Sequence, residues 1–149
     1  MPSSAANPAP GKYWERSMGR VARLADGLQT CALAPGYISM LTGTLGPMLS
    51  EHGKDFGSFP ISAYHNVNIG PDADACREES QRFLDAYYGP VFSPDQVRSW
   101  VSAGEPVDVI AHLQDLIDQG ATHITIRLTS FDQEGQFRRL VDEVLPALT

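Results

Sequence analysis

Two side chains that could do chemistry fall inside expected strands: His65, in FPISAYHNVNI, and Arg127, in HITIRLT. A strand imidazole can serve as a general base near neutral pH. No serine, cysteine or aspartate stands at the spacing a nucleophile needs beside His65, so a hydrogen-bonded core histidine is favoured over a catalytic one. Arg127 could hold an anion, with an ion pair to a neighbouring carboxylate as the default. Glu15, Arg16 and Ser17 open the first helical stretch, where free N–H groups and the positive dipole end suit a phosphate. His123 opens a strand and reads as structural, while His52 and His112 fall on helices and read as solvated. Glu78-Glu79 and Asp142-Glu143 read as polar helix faces, not paired catalytic carboxylates. Cys31 and Cys76 have neither CxxC nor Cys/His metal spacing, so they read as reduced core thiols and no metal is expected. The glycine-rich phosphate loops, the GxSxG elbow and HExxH are all missing from the sequence.

The elements that must position these residues are legible in the apolar spacing. Met18, Val21, Ala22 and Ala25 share one face of a first helix, and Leu28 to Leu33 is a short strand candidate. Ile38, Leu41, Leu45 and Leu49 give a second helix, with a break expected near Gly46-Pro47. Phe59 to Ile69 is the second strand. Asp72 caps a third helix whose buried face is expected at Cys76, Ser80, Phe83, Leu84 and Tyr87. Ser93, Pro94 and Gln96 form a helix start with a hydroxyl cap, proline at the first position and an amide three residues on. A further helix starts at Glu105-Pro106, carries Val109, Ile110, Leu113, Leu116 and Ile117, and ends at Gly120. His123 to Thr129 is the third strand. Phe137, Leu140, Val141, Val144 and Leu145 stripe the last helix, which Pro146 cannot continue. Strand and helix alternate, so an α/β fold with parallel strands and helices on one face is expected.

The helix ending in Asp-x-Gly-Ala, the strand HITIRL and the final VLPAL, together with RVARLADG at Arg20 to Gly27, resemble the C-terminal part of the luciferase-like monooxygenases. The resemblance runs from about Glu15 onward. It implies a partial (β/α)8 barrel, with about three parallel strands in the places of the sixth, seventh and eighth. The fold also implies a site at the C-terminal strand ends, nominating Ala32, Leu33, Asn66, Asn68, Ile69, Arg127, Thr129 and Ser130. By the resemblance, FMN or coenzyme F420 would supply the redox chemistry to a small organic substrate, with phosphate contacts near Glu15, Arg16 and Ser17. Trp14 and Gly19 depart from the family's pattern there.

The chain's 149 residues suffice for one core but not for a whole barrel, which needs roughly 250. Two functions of different class follow: an oxidoreductase or monooxygenase, truncated and impaired alone, or a non-catalytic partial barrel that acts in assembly. The chain alone is expected to bind flavin weakly or not at all. Residues 1–14, rich in proline and small side chains, are expected to be a flexible tail, and 15–149 one domain. The net charge of −7 disfavours nucleic acid and anionic membrane as partners. No apolar run approaches ~20 residues and no signal segment opens the chain, so a cytoplasmic protein is expected. The inner sheet face is expected to be largely apolar, which predicts a homodimer or a barrel-completing partner chain, with Tyr64, His65 or Arg127 near the interface.

Overall fold

The computed structural model describes residues 12–148. Of the expected tail, residues 1–11 lie outside the described residues, while Lys12, Tyr13 and Trp14 already form the first turn of helix α1, Lys12–Leu24. Strand β1, Leu28–Thr30, follows, then α2, Tyr37–Glu51, and β2, Ile61–Ile69. Helices α3, Ala73–Tyr88, and α4, Pro94–Trp100, lead to β3, Val101–Gly104. The chain then runs through α5, Pro106–Asp118, β4, His123–Leu128, and α6, Gln133–Arg139. A π turn over Leu140–Val144 and a 3-10 turn over Leu145–Ala147 complete it.

Every strand pair is parallel. The long strand β2 touches all the others, and β4 covers one of its edges from Ser62 to Val67. Therefore β1, at Ile61 to Ala63, and β3, at Asn66 to Ile69, share the opposite edge end to end. The sequence reading missed β3, because VSAG is short and lacks a strand's density of β-branched residues. It becomes a strand because β1 ends early and leaves β2 with unpaired N–H and C=O groups. Gly104 ends β3 at φ 125°, and a Cβ there would lie 3.0 Å from Asp108 Oδ2 and 3.2 Å from the Ala73 Cβ.

Alternate residues set the two faces. Ile61, Ala63, Val67 and Ile69 of β2 and Ile124, Ile126 and Leu128 of β4 pack against α2, α5 and the C-terminal turns, in cores holding Ile38, Leu113, Leu116 and Val144. Helix α1 joins them through Trp14, Met18 and Ala22 against Leu41, Leu45 and Ile61. The expectation of helices on one face only is corrected: α3 and α4 cover the C-terminal half of the other face. There Cys76, Leu84, Val97 and Trp100 pack with Val101, Ala103 and Tyr64. Phe83 and Tyr87 do not join the buried face of α3 as expected, for Tyr87 is 67% exposed.

Helix α2 also runs unbroken through Pro47. Interior proline costs about 3 kcal/mol, whereas each buried leucine-class side chain stabilises by about 1.5–3 kcal/mol. Ile38, Leu41, Leu45 and Leu49 are all fully buried, so the stripe outweighs the break. At the C-terminus the expected stripe is narrower, because Leu140 and Val144 are buried while Phe137 and Leu145 stay exposed. Gln136 is buried in their stead. Its side-chain amide pairs with the end of β2 like a further strand residue: Ile69 N–H donates to Oε1 and Nε2 donates to Ile69 O, both at 2.7 Å.

Candidate functional site

The face turned away from α2 and α5, called here the inner face, is polar. It carries Ser62, Tyr64, Asn66 and Asn68 from β2 and His123, Thr125 and Arg127 from β4, placed side by side by the register. Ser62 and Thr125 hydroxyls meet at 3.1 Å. The expected apolar inner face is thus corrected: the aliphatic side chains of β2 and β4 take the opposite parity, under α2 and α5, and only Val101 and Ala103 of β3 add apolar side chains to the inner one. Tyr64 points inward and His65 outward, as strand alternation requires.

Arg127 is the charged centre of this face. Its guanidinium lies 4.0 Å from the ring centre of Tyr87, 5.2 Å from Phe83 and 5.3 Å from Tyr88. Nη1 donates to the phenol oxygens of Tyr88 at 3.1 Å and Tyr64 at 3.3 Å. The default expectation of an ion pair is corrected. The ion pairs present among the described residues join Arg77 to Asp74, Arg138 to Glu134 and Arg139 to Glu143. Stacking on aromatic faces replaces the carboxylate, a contact the flat guanidinium makes readily. The sequence signal was available: Phe83, Tyr87 and Tyr88 lie four and five residues apart on α3, one side of a helix.

Beyond Arg127 the inner face closes into a buried polar network. Asn68 Nδ2 lies 2.9 Å from Glu79 Oε2, 3.1 Å from Cys76 O and 3.3 Å from Thr129 O. Ser80 and Thr129 hydroxyls meet at 2.8 Å. Glu79 Oε1 accepts from the Ser130 hydroxyl at 3.0 Å and the Phe131 N–H at 3.1 Å. Burial raises the Glu79 pKa, but the bonds from Asn68, Phe131 and Ser130 outweigh it and hold the carboxyl below its usual value. This network ties α3 to the end of β4. Asn66 donates to Trp100 O at 3.3 Å, and its Oδ1 has no partner among the described residues.

His65 is fully buried on the outer face, with Nε2 2.9 Å from Ser102 Oγ and its ring 4.8 Å from that of His112. That is the place of a hydrogen-bonded core histidine, out of reach of the inner face. Burial, and then His112, push its pKa down to about 3. His112, expected to be solvated, is half-buried against it, and burial lowers its pKa too. Glu15, Arg16 and Ser17 are exposed on α1. Because α1 starts at Lys12, they lie past the first turn, where backbone N–H groups are already bonded within the helix. The structure packs α1 on α2 and sets Arg127 under α3, so it does not gather these four residues into one site. Ala32 is buried at the end of β1, and Leu33 packs beside Trp100. Cys31 and Cys76 are free thiols, and no metal-binding group of three or more side chains occurs among the described residues.

The inner-face donors suit an oxyanion such as the phosphate of FMN or coenzyme F420. The residues present do not suit the flat ring system of either cofactor. Phe83, Tyr87 and Tyr88 already stack around Arg127, and Trp100 stands edge-on to Tyr64 with ring centres 5.8 Å apart. A groove of about 540 Å³ lies elsewhere, between α3 and α4, lined by Arg77, Glu78, Arg82 and Arg98 among others.

Parallel strands alternating with helices, in an open sheet with a polar inner face, define part of a (β/α) barrel. Solved structures similar to this chain include F420-dependent enzymes and monooxygenases, in agreement with the resemblance read from the sequence. The chain is similar to a coenzyme F420 dependent tetrahydromethanopterin reductase from Methanopyrus kandleri, with TM-score 0.69 and 16% identity over 95% of this chain and 50% of that one. It is similar to an F420-dependent secondary alcohol dehydrogenase in complex with an F420-acetone adduct, with TM-score 0.77 and 16% identity over 91% and 46%. Monooxygenase RslO1 from Streptomyces bottropensis follows at 0.65 and 17%, over 89% and 45%. The chain therefore spans about half the length of these proteins. No family model and no curated protein matches the sequence.

Proposed function

We propose that this chain is one part of a flavin- or deazaflavin-dependent oxidoreductase of the luciferase-like type, and that by itself it has no cofactor-dependent turnover. One observation carries this reading. The inner face bears polar, donor-bearing side chains, as a barrel wall facing a ligand would, yet aromatic side chains of α3 fill the space over it. A small organic substrate and FMN or coenzyme F420 would be held only once further polypeptide completes the barrel. The free thiols Cys31 and Cys76 suit the reducing cytoplasm. No helix among the described residues is long and apolar enough to cross a membrane. Fluorescence titration of the chain with FMN and with coenzyme F420 tests the reading. No saturation below about micromolar is expected, since each missing charge-assisted contact removes roughly 1.5–3 kcal/mol. Nanomolar binding by the chain alone would refute it.

A specific feature favours a second reading, an assembly module. Like β1 and β3, β4 is paired on one edge only among the described strands. An apolar groove of about 330 Å³ runs along it, lined by Ile117, Ala121, Ile124, Ile126, Leu145 and Leu148. A second copy or a separate chain adding a strand and helix there would satisfy the edge and cover the groove. Light scattering settles whether the chain self-associates: a monomer at all concentrations leaves only the separate chain.

A further inference from the structure

We propose that Arg127, with the phenols of Tyr64 and Tyr88, forms a receptor for a small oxyanion, a phosphate or carboxylate group, on the inner face. Charge is the first ground. No carboxylate lies within ion-pair distance of Arg127 among the described residues, whereas Arg77, Arg138 and Arg139 each have one. The surrounding rings offer π faces and two uncharged phenol oxygens, and the Tyr88 phenol is neutral, its pKa raised by burial first and then by Tyr64. Hydrogen-bond accounting is the second. Arg127 Nη1 serves both phenol oxygens. Nε and Nη2 of Arg127 have no acceptor within the described residues. The cluster is therefore rich in donors and poor in acceptors, which selects an anion and repels a cation.

Geometry is the third ground. The rings fix the guanidinium plane, so little side-chain freedom is lost on binding. Tyr87 and Phe131, 67% and 62% exposed, stand beside the cluster and offer apolar contact to an organic group carrying the anion. This receptor is independent of the cofactor reading: inorganic phosphate can bind where FMN does not, and the two titrations fail separately.

The test is titration of the isotope-labelled full chain with sodium phosphate and, separately, sodium benzoate at constant ionic strength. The Arg127 side-chain N–H and the tyrosine ring resonances are followed. Saturable shifts centred on Arg127 are expected, with Kd of about millimolar, weakened about tenfold or more in Arg127→Gln. Arg98→Gln, in the separate α3–α4 groove, should bind as the parent does. Arg127→Lys keeps the charge but loses the planar fork, so it should fold and bind benzoate more weakly than the parent; it replaces Arg127→Gln if that variant does not fold. Phosphate and benzoate together separate a general oxyanion site from one needing an apolar neighbour. Linear, unsaturating shifts, or equal binding by a folded Arg127 variant, would overturn the proposal.

Discussion

Gln136→Leu should be among the costlier single changes in this chain, although no sequence motif marks the position. The amide of Gln136 meets Ile69 N–H and C=O at 2.7 Å each, where Ile69 is 2% exposed. In the variant the Ile69 carbonyl keeps one donor, Arg139 Nη1 at 3.0 Å. The N–H keeps nothing. An orphaned buried donor costs about 1–3 kcal/mol, and the second lost bond about 1 kcal/mol more. Burying a more apolar side chain returns part of this, at roughly 25 cal/mol per Å². A net loss of about 2–3 kcal/mol remains, which lowers Tm by about 6–12 °C for a domain of this size. Circular dichroism melts of parent, Gln136→Leu and Gln136→Glu would measure it. In Gln136→Glu, a carboxylate can accept from Ile69 N–H but repels Ile69 O, while its protonated form can both accept and donate. The deficit of Gln136→Glu relative to the parent should therefore shrink between pH 7 and pH about 4. A Gln136→Leu melt within about 1 °C of the parent, for an expected loss this large, would refute the reasoning.

His65 makes stability pH-dependent: with its pKa lowered from 6.5 to about 3 on folding, the unfolded chain takes up the proton first. Its contribution is steady above pH 6.5 and is lost as pH falls from there toward about 3, by up to ~1.4 kcal/mol per pH unit. Urea melts of His65→Gln against the parent should show a shallower acid decline in the variant, and parallel curves would count against the buried neutral imidazole. Gly104→Ala should lose about 1–3 kcal/mol, because φ there is 125° and the new Cβ would crowd Asp108 and Ala73. An unchanged urea midpoint would show that the turn after β3 relaxes freely.

Strands β2 and β4 and helix α5 were legible because their apolar residues recur at the period of the element they form. Ile124 and Ile126, two apart, and Val109, Leu113 and Leu116, three or four apart, carry the decision locally. β3 was not legible, since Val101 to Gly104 become a strand only through the edge of β2 that β1 leaves free. Pro47 misled because a local penalty was weighed without the buried stripe it interrupts. The inner face was misjudged for a related reason. Alternation fixes that neighbours face opposite ways, but which parity meets the helices depends on packing; Ala63 and Val67 went under α5, leaving Tyr64 and Asn66 inside. The placement of Arg127 in a strand was read correctly, while its aromatic surroundings come from α3, some forty residues earlier in the chain. Gln136 carried no signal, for its value lies wholly in reaching Ile69.

The tandem sharing of β2 has a consequence during synthesis. Ser62 pairs with His123 and Val67 with Leu128, so one whole edge of the central strand waits for residues roughly sixty positions later, which at about 5–20 residues per second is several seconds of translation. For the first part of that interval β1 alone can hold β2, through three residue pairs at one end, until β3 joins the same edge and leaves the other still bare. The nascent chain thus exposes a long, half-apolar ribbon just as it leaves the ribosome. Slowing translation before His123 should increase chaperone capture and aggregation, even though the finished fold is unchanged.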